Sequence, residues 1–296
     1  MLKRFFALLA LIVLPMASPA ATSTAFDAGS VHVDQYGSGS PALVLIPGLT
    51  DSGAVWTTAV ARYASTHTIY VLTLPGFGGR TPVAAPMLDT VDRDVAAFLP
   101  NAGKPVLVGH SMGGSLAIRL AEEHSDLIRG AIAIDGLPVF AGMDKMTAQE
   151  RADQAARAGA RIARATQAQY DAGERQQVSY MTKPANLETA LSFGKGANIG
   201  ATAEYMQELM SADLRPGLSN VTVPLLEIGP FDASIDPLNP YSPTHSVTEK
   251  QAYYQQLLAA DPAAKVQMVD DSRHFIMLDQ PAGLFAAIDA FLAPLQ

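Results

Sequence analysis

The sequence has no cysteine. That excludes disulfides, thiolate metal sites and a cysteine nucleophile. Charged residues are scarce, at 16% of the chain, too few for a disordered or coiled-coil protein. Basic residues are outnumbered by acidic ones, 20 against 28, for a formal net charge of −8. No basic field is available to hold nucleic acid or an anionic lipid surface. The apolar run Phe5–Leu14 falls short of the about 20 residues that a membrane-spanning helix requires. Tryptophan occurs once, at Trp56.

Against these absences, 49% of the 296 residues are hydrophobic, enough for a large core in one large domain or two small ones. At the N-terminus, Lys3 and Arg4 precede the Phe5–Leu14 run, Pro15 breaks it, and Ser18-Pro19-Ala20 supplies small residues at a cleavage site. Residues 1–20 read as a secretory signal peptide, cut after Ala20 or Ala21. The expectation is a bacterial periplasmic or extracellular protein with no stable membrane anchor after cleavage. No cysteine is present for lipid attachment.

Further along, apolar runs bounded by turn residues alternate with helical patterns, the mark of a mainly parallel sheet flanked by crossover helices. Strands are expected in residues 42–48, 68–79, 104–111, 128–136, 223–232 and 265–271, and helices in 89–99, 112–124 and 282–295. Between Leu137 and about Asn220 the pattern turns helical, with Thr147 and Glu150 at capping-box spacing. The division expected is an α/β core over 21–137 and 221–296, with a helical cap or lid inserted at 138–220.

The stretch LVGHSMGGSLA, from Leu107 to Ala117, sets Gly109, Ser111 and Gly113 at G-x-S-x-G spacing between a strand-like and a helical run. Such a turn is sharp and strained. Its glycines remove side chains that would clash, and its serine protrudes beside the N-terminal amides of the next helix. A serine hydroxyl is a weak nucleophile unless a base takes its proton and an acid orients that base.

Four separated motifs together resemble the α/β-hydrolase superfamily, from about Phe26 to the C-terminus: IPGLTDSGAVW, TLPGFGGRT, GHSMGG and DDSRHFIMLDQP. The resemblance implies the α/β-hydrolase fold with a helical cap, and a chain order of nucleophile, acid, histidine. Ser111 is then the nucleophile. Among six histidines, His274 is the base, since it follows a strand within the last motif. His32 precedes the expected sheet core, His67 and His124 stand at element ends where solvent is expected, His110 lies inside the elbow, and His245 sits in a polar loop. For the acid, Asp232 leads, because Gly229 and Asp232 match the family's G-x-x-D after a strand. Asp135, at the end of AIAID, is its rival, and Asp236, Asp270 and Asp271 trail. The oxyanion hole implied is the pair of backbone amides of Leu49 and Met112. Pro47 stands where many relatives carry histidine, and Thr73 where many carry aspartate.

The remaining features have plainer readings. Trp56 lines the pocket floor or packs a helix. Arg157, Arg161 and Arg164 share a helix face that is ordinarily solvated. The cap methionines Met143, Met146, Met206 and Met210 pack a core or an adaptable pocket wall. The expected protein is an exported serine hydrolase acting on a small-molecule ester with a small to medium acyl group, without metal or organic cofactor. Two alternatives stay open: the same triad on an amide, lactone, thioester or carbon–carbon bond, and a non-catalytic binder on a hydrolase scaffold.

Overall fold

The structure is a computed structural model that describes residues 23–239 and 243–295. The segment read as a signal peptide lies outside the described residues. Eight strands form one sheet: β1 (Ser23–Ala28), β2 (Val31–Tyr36), β3 (Leu43–Ile46), β4 (Ile69–Thr73), β5 (Val106–His110), β6 (Gly130–Ile134), β7 (Leu225–Phe231) and β8 (Lys265–Asp270). Their order is β1-β2-β4-β3-β5-β6-β7-β8. β1 and β2 pair antiparallel, as do β2 and β4, and every later neighbour is parallel. His32 is therefore not ahead of the sheet; it lies in β2 opposite Thr73.

Every residue of β3, β4, β5, β6 and β7 is buried, as expected of parallel strands covered on both faces. Successive side chains enter different cores. Val44, Ile46, Leu72 and Leu107 pack beneath α2 (Met87–Phe98) and α3 (Met112–His124). Leu43, Leu45, Val71 and Val108 pack with α1 (Thr57–Tyr63) and the helix near the C-terminus. Trp56 is buried in this second core, so it packs the sheet.

Between β6 and β7 the chain forms α4 (Ala148–Ala163), α5 (Gln167–Met181), α6 (Leu187–Phe193) and α7 (Ile199–Ser211). Thr147 with Glu150, and Thr166 with Gln169, close reciprocal capping boxes at the starts of α4 and α5. Gly159 lets α4 lie close on α7, since a Cβ there would stand 3.0 Å from the Ala203 carbonyl oxygen. After β7 come α8 (Val247–Leu257), β8, the single turn α9 (Ile276–Asp279) and α10 (Pro281–Leu292). Met143, Met146 and Met210 join Leu137, Phe140 and Val139 in a small apolar cluster at the base of the helical segment.

The helical segment is tied to the strand ends by main-chain bonds. Ser52 N donates to Phe193 O at 2.9 Å, Asn198 N to Gly76 O at 2.8 Å, and Phe275 N to Met181 O at 3.0 Å. Glu208 of α7 accepts from the Met87 and Leu88 amides at the start of α2.

Candidate active site

Ser111 stands between β5 and α3 with φ 54° and ψ −121°, a region that non-glycine residues enter only at a cost of about 1–3 kcal/mol. The surroundings enforce it. The Ser111 amide donates to Ile134 O of β6 at 2.9 Å, and its carbonyl accepts from Gly114 and Ser115 at 2.8 and 3.0 Å. The flanking glycines are required by space. A Cβ on Gly109 would lie 1.9 Å from Gly113 O, and one on Gly113 would lie 2.3 Å from Ile46 O. The elbow is thus pressed against the loop that follows β3. In that loop, a Cβ on Gly48 would lie 3.2 Å from Ser111 Cβ. Leu49 follows immediately, and Met112 opens α3, where an N–H has no acceptor within the helix. Leu49 and Met112 are thus the residues next to Gly48 and Ser111, the two points where the loop and the elbow meet.

The acid differs from expectation. His274 Nδ1 lies 2.5 Å from Asp135 Oδ2. Asp135 follows β6 with φ 49°, and its amide is held by Ile228 O at 3.0 Å. Asp232 does not reach His274, because its oxygens are committed elsewhere. Oδ1 accepts from the Ser234 amide at 2.9 Å and hydroxyl at 2.6 Å, and Oδ2 accepts from Arg273 Nε at 2.7 Å. The assignment of Asp232 as the partner of His274 is therefore corrected to Asp135. Asp232 has a different task. Arg273 also donates to Ser179 O and Thr182 O at the end of α5, so the pair pins the helical segment to the histidine loop. These donors hold the Asp232 carboxyl, despite its partial burial, down at about 2. Asp135 is largely buried, yet the His274 imidazole, the Lys250 charge and a tyrosine hydroxyl keep its carboxyl well below the usual range.

His110 was read only as an elbow residue. Its Nε2 donates to the His274 carbonyl at 3.1 Å, and the two rings stand 4.6 Å apart between centroids. Its Nδ1 faces Asp51 Oδ2 at 3.6 Å, and both residues are buried. Burial disfavours the His110 cation. A neutral ring with the proton on Nε2 fits that donor role. His110 thus ties the histidine loop to the nucleophile's own strand. No pattern in the sequence separates it from the other histidines. His67, expected in solvent, is buried edge-on against Tyr63. Thr73 also acquires a role, as its Oγ1 accepts from the Gly53 amide at 3.0 Å, fixing the turn after the Leu49 loop.

A cavity of about 400 Å³ lies between α5, α6 and the turn that follows α6. Tyr170, Glu174, Leu191 and Lys195 are among its walls, and Ser111 and His274 are not. Glu174 reaches the Thr50 hydroxyl, and burial together with the Asp51 charge raises its carboxyl to about 7.

A model described as the alpha/beta hydrolase family matches residues 43–288. The chain belongs to the alpha/beta hydrolase family. Over 119 residues it is 36% identical to a pimeloyl-[acyl-carrier protein] methyl ester esterase of Aeromonas hydrophila, covering 39% of this chain and 45% of that one. Over 130 residues it is 39% identical to the lipase LipV of Mycobacterium tuberculosis, covering 40% and 48%. The chain thus matches less than half the length of these two curated relatives. A longer match, 28% identical over 245 residues, covers 73% of this chain and 92% of the Vibrio cholerae pimeloyl-[acyl-carrier protein] methyl ester esterase. Among solved structures, a thermophilic esterase from Thermogutta terrifontis superposes with a TM-score of 0.71 at 17% identity, covering 93% of this chain and 99% of that one. MenH from S. aureus gives 0.71 at 15% identity, covering 88% and 98%. At such identities the likeness is one of fold. Within this alpha/beta hydrolase, Ser111, Asp135 and His274 occupy three loops at the C-terminal ends of the parallel strands β5, β6 and β8, the ligand-binding edge of an open α/β sheet.

Proposed function

We propose that this alpha/beta hydrolase is a serine esterase that cleaves a small-molecule carboxylic ester through an acyl-enzyme, with Ser111 as nucleophile, His274 as base and Asp135 as acid. The observation that carries the reading is the Asp135–His274 contact at 2.5 Å beside the strained Ser111 elbow. Asp135 holds His274 with its proton on Nδ1, leaving Nε2 free to accept the Ser111 proton. The serine Oγ attacks the ester carbon, and the oxyanion is met by the Leu49 and Met112 amides. His274 then returns the proton to the departing alcohol. A water deprotonated by His274 frees the acid and restores Ser111. Esterase and lipase names among the relatives support an ester over other acyl bonds. The N-terminal pattern of residues 1–20 supports export to the periplasm or medium.

The test is hydrolysis of p-nitrophenyl esters from acetate to palmitate by the purified protein, beside Ser111→Ala and Asp135→Asn. Activity that both variants lose supports the reading, and the best chain length sizes the acyl site. No turnover of any ester, together with rapid fluorophosphonate labelling of Ser111, would overturn ester hydrolysis and redirect the search to amides, lactones and carbon–carbon bonds.

A further inference from the structure

A carboxylate has two oxygens, and only one of Asp135's meets His274. The other, Oδ1, lies 2.5 Å from the Tyr254 hydroxyl. Tyr254 comes from α8, one turn beyond Lys250. To reach Asp135 its ring crosses β7 over Gly229, where a Cβ would stand 2.8 Å from Tyr254 Cε2. Gly229, noted in the sequence only for its spacing from Asp232, is thus the opening through which the phenol passes. Lys250 Nζ sits 5.8 Å from the Tyr254 ring centroid and 2.6 Å from Asp236 Oδ1.

On β7 itself, Glu227 is fully buried, with no side-chain hydrogen-bond partner among the described residues and the Asp135 and Gly136 amides as its polar neighbours. Burial and the Asp135 charge push its carboxyl far up, which favours the neutral form. Burial and the same charges push the Tyr254 phenol up as well, so it too is a donor. The groups around Asp135 are therefore His274 from the histidine loop, Tyr254 and Lys250 from α8, and Glu227 from β7, with Asp236 behind Lys250.

In this arrangement a buried carboxylate has two candidate proton donors besides His274. If Oδ1 were left free it would be an unsatisfied anion oxygen in a largely buried site, and nothing would stop the carboxylate turning about its Cβ–Cγ bond. We propose that Tyr254 is a positioning residue for the reaction: its hydroxyl fixes Asp135 Oδ1, so that Oδ2 is held on His274 Nδ1. This rests on the triad reading of Ser111, Asp135 and His274. Tyr254 touches no reacting atom and acts only through the acid.

The experiment is the rate of fluorophosphonate labelling of Ser111 in the full-length protein across pH 5–9, for wild type, Tyr254→Phe and Asp135→Asn. This readout needs no knowledge of the substrate. Tyr254→Phe keeps the ring and removes one hydrogen bond to a charged group. The plateau rate should fall about tenfold. The acidic limb should move to lower pH, because a carboxylate free to turn away from His274 Nδ1 stabilises the imidazolium less. Thermal unfolding reports the fold in parallel. A merely structural role would lower the melting temperature without moving the limb, and that result overturns the proposal. So does a wild-type rate and limb in Tyr254→Phe while Asp135→Asn collapses. If Asp135→Asn itself labels at the wild-type rate, the triad reading fails, and the proposal with it. A second measurement keeps the hydrogen bond in place: fluorotyrosine at position 254 alone should retain the wild-type plateau and limb within about twofold, and a loss like that of Tyr254→Phe there overturns the proposal.

Discussion

Asp135 Oδ2 and His274 Nδ1 stand 2.5 Å apart, although the two residues come from opposite sides of β7, one after β6 and one after β8. On the proposed mechanism the pair makes Asp135, not Asp232, the aspartate whose loss stops the chemistry. Asp135→Asn should lower kcat/KM by roughly 10³–10⁴ through the wrong histidine tautomer, with the circular dichroism spectrum unchanged. Asp232→Asn should leave kcat within a few fold. The reverse ranking in ester hydrolysis would return the acid to Asp232.

Strain at the nucleophile gives a second expectation. With φ at 54°, Ser111 costs stability that glycine would not. Ser111→Gly should therefore be more stable than Ser111→Ala by about 1 kcal/mol, both being inactive. Urea unfolding of the two variants measures this. Equal midpoints would mean that the elbow stores no strain.

The Asp232–Arg273 pair should show itself in acid. The Asp232 carboxyl is held at about 2, below its ordinary 3.8. A depressed carboxyl stabilises the fold above the unfolded value, and the contribution is lost as pH falls from about 4 through 2. Asp232→Asn should cost about 1–2 kcal/mol at pH 7, and the gap to wild type should close by pH 2. Denaturant melts at pH 7, 4 and 2.5 would show this convergence. A constant gap would assign the cost to packing alone.

Glu174 should behave in the opposite sense. Its carboxyl is raised to about 7 from 4.5, so the folded state favours the protonated form. Stability contributed by that proton is full below about 4.5 and is lost as pH rises through 7. Glu174→Gln should therefore stabilise the protein by about 1 kcal/mol at pH 8, once solvent screening is allowed for, and have no effect at pH 4. Thermal melts at the two pH values compare them directly.

Much of this fold was legible in the sequence because β3, β4, β5 and β6 are continuous apolar runs, and because α3 begins and ends where its pattern does. Other elements gave weaker patterns. β2 carries His32, Asp34 and Gln35, and α8 is a polar helix burying only Tyr254 and Leu257, so neither offered a clean apolar period. Motifs single out Ser111, His274 and the Leu49 and Met112 amides as candidates, and the fold sets Ser111 and His274 at the C-terminal ends of β5 and β8. The choice between Asp135 and Asp232 was not, since each ends a strand. What decides it is the side chain of Arg273 and the hydroxyl of Ser234, which occupy Asp232 only once the chain has folded. His110 and Tyr254 were invisible for the same reason, because their partners are 164 and 119 residues away.

Ser111 and Asp135 both belong to the single unit β5–α3–β6. The four helices over the strand ends are inserted after that unit, and only the histidine arrives later. The length and sequence of that insertion are therefore free to change without altering the distance between Ser111 and Asp135. Exchanging it for another helical segment would reset what enters the site while leaving the charge pair intact. One constraint on such an exchange lies midway along it, at the end of α5, where Thr182 O accepts from Arg273 and Met181 O from the Phe275 amide beside His274.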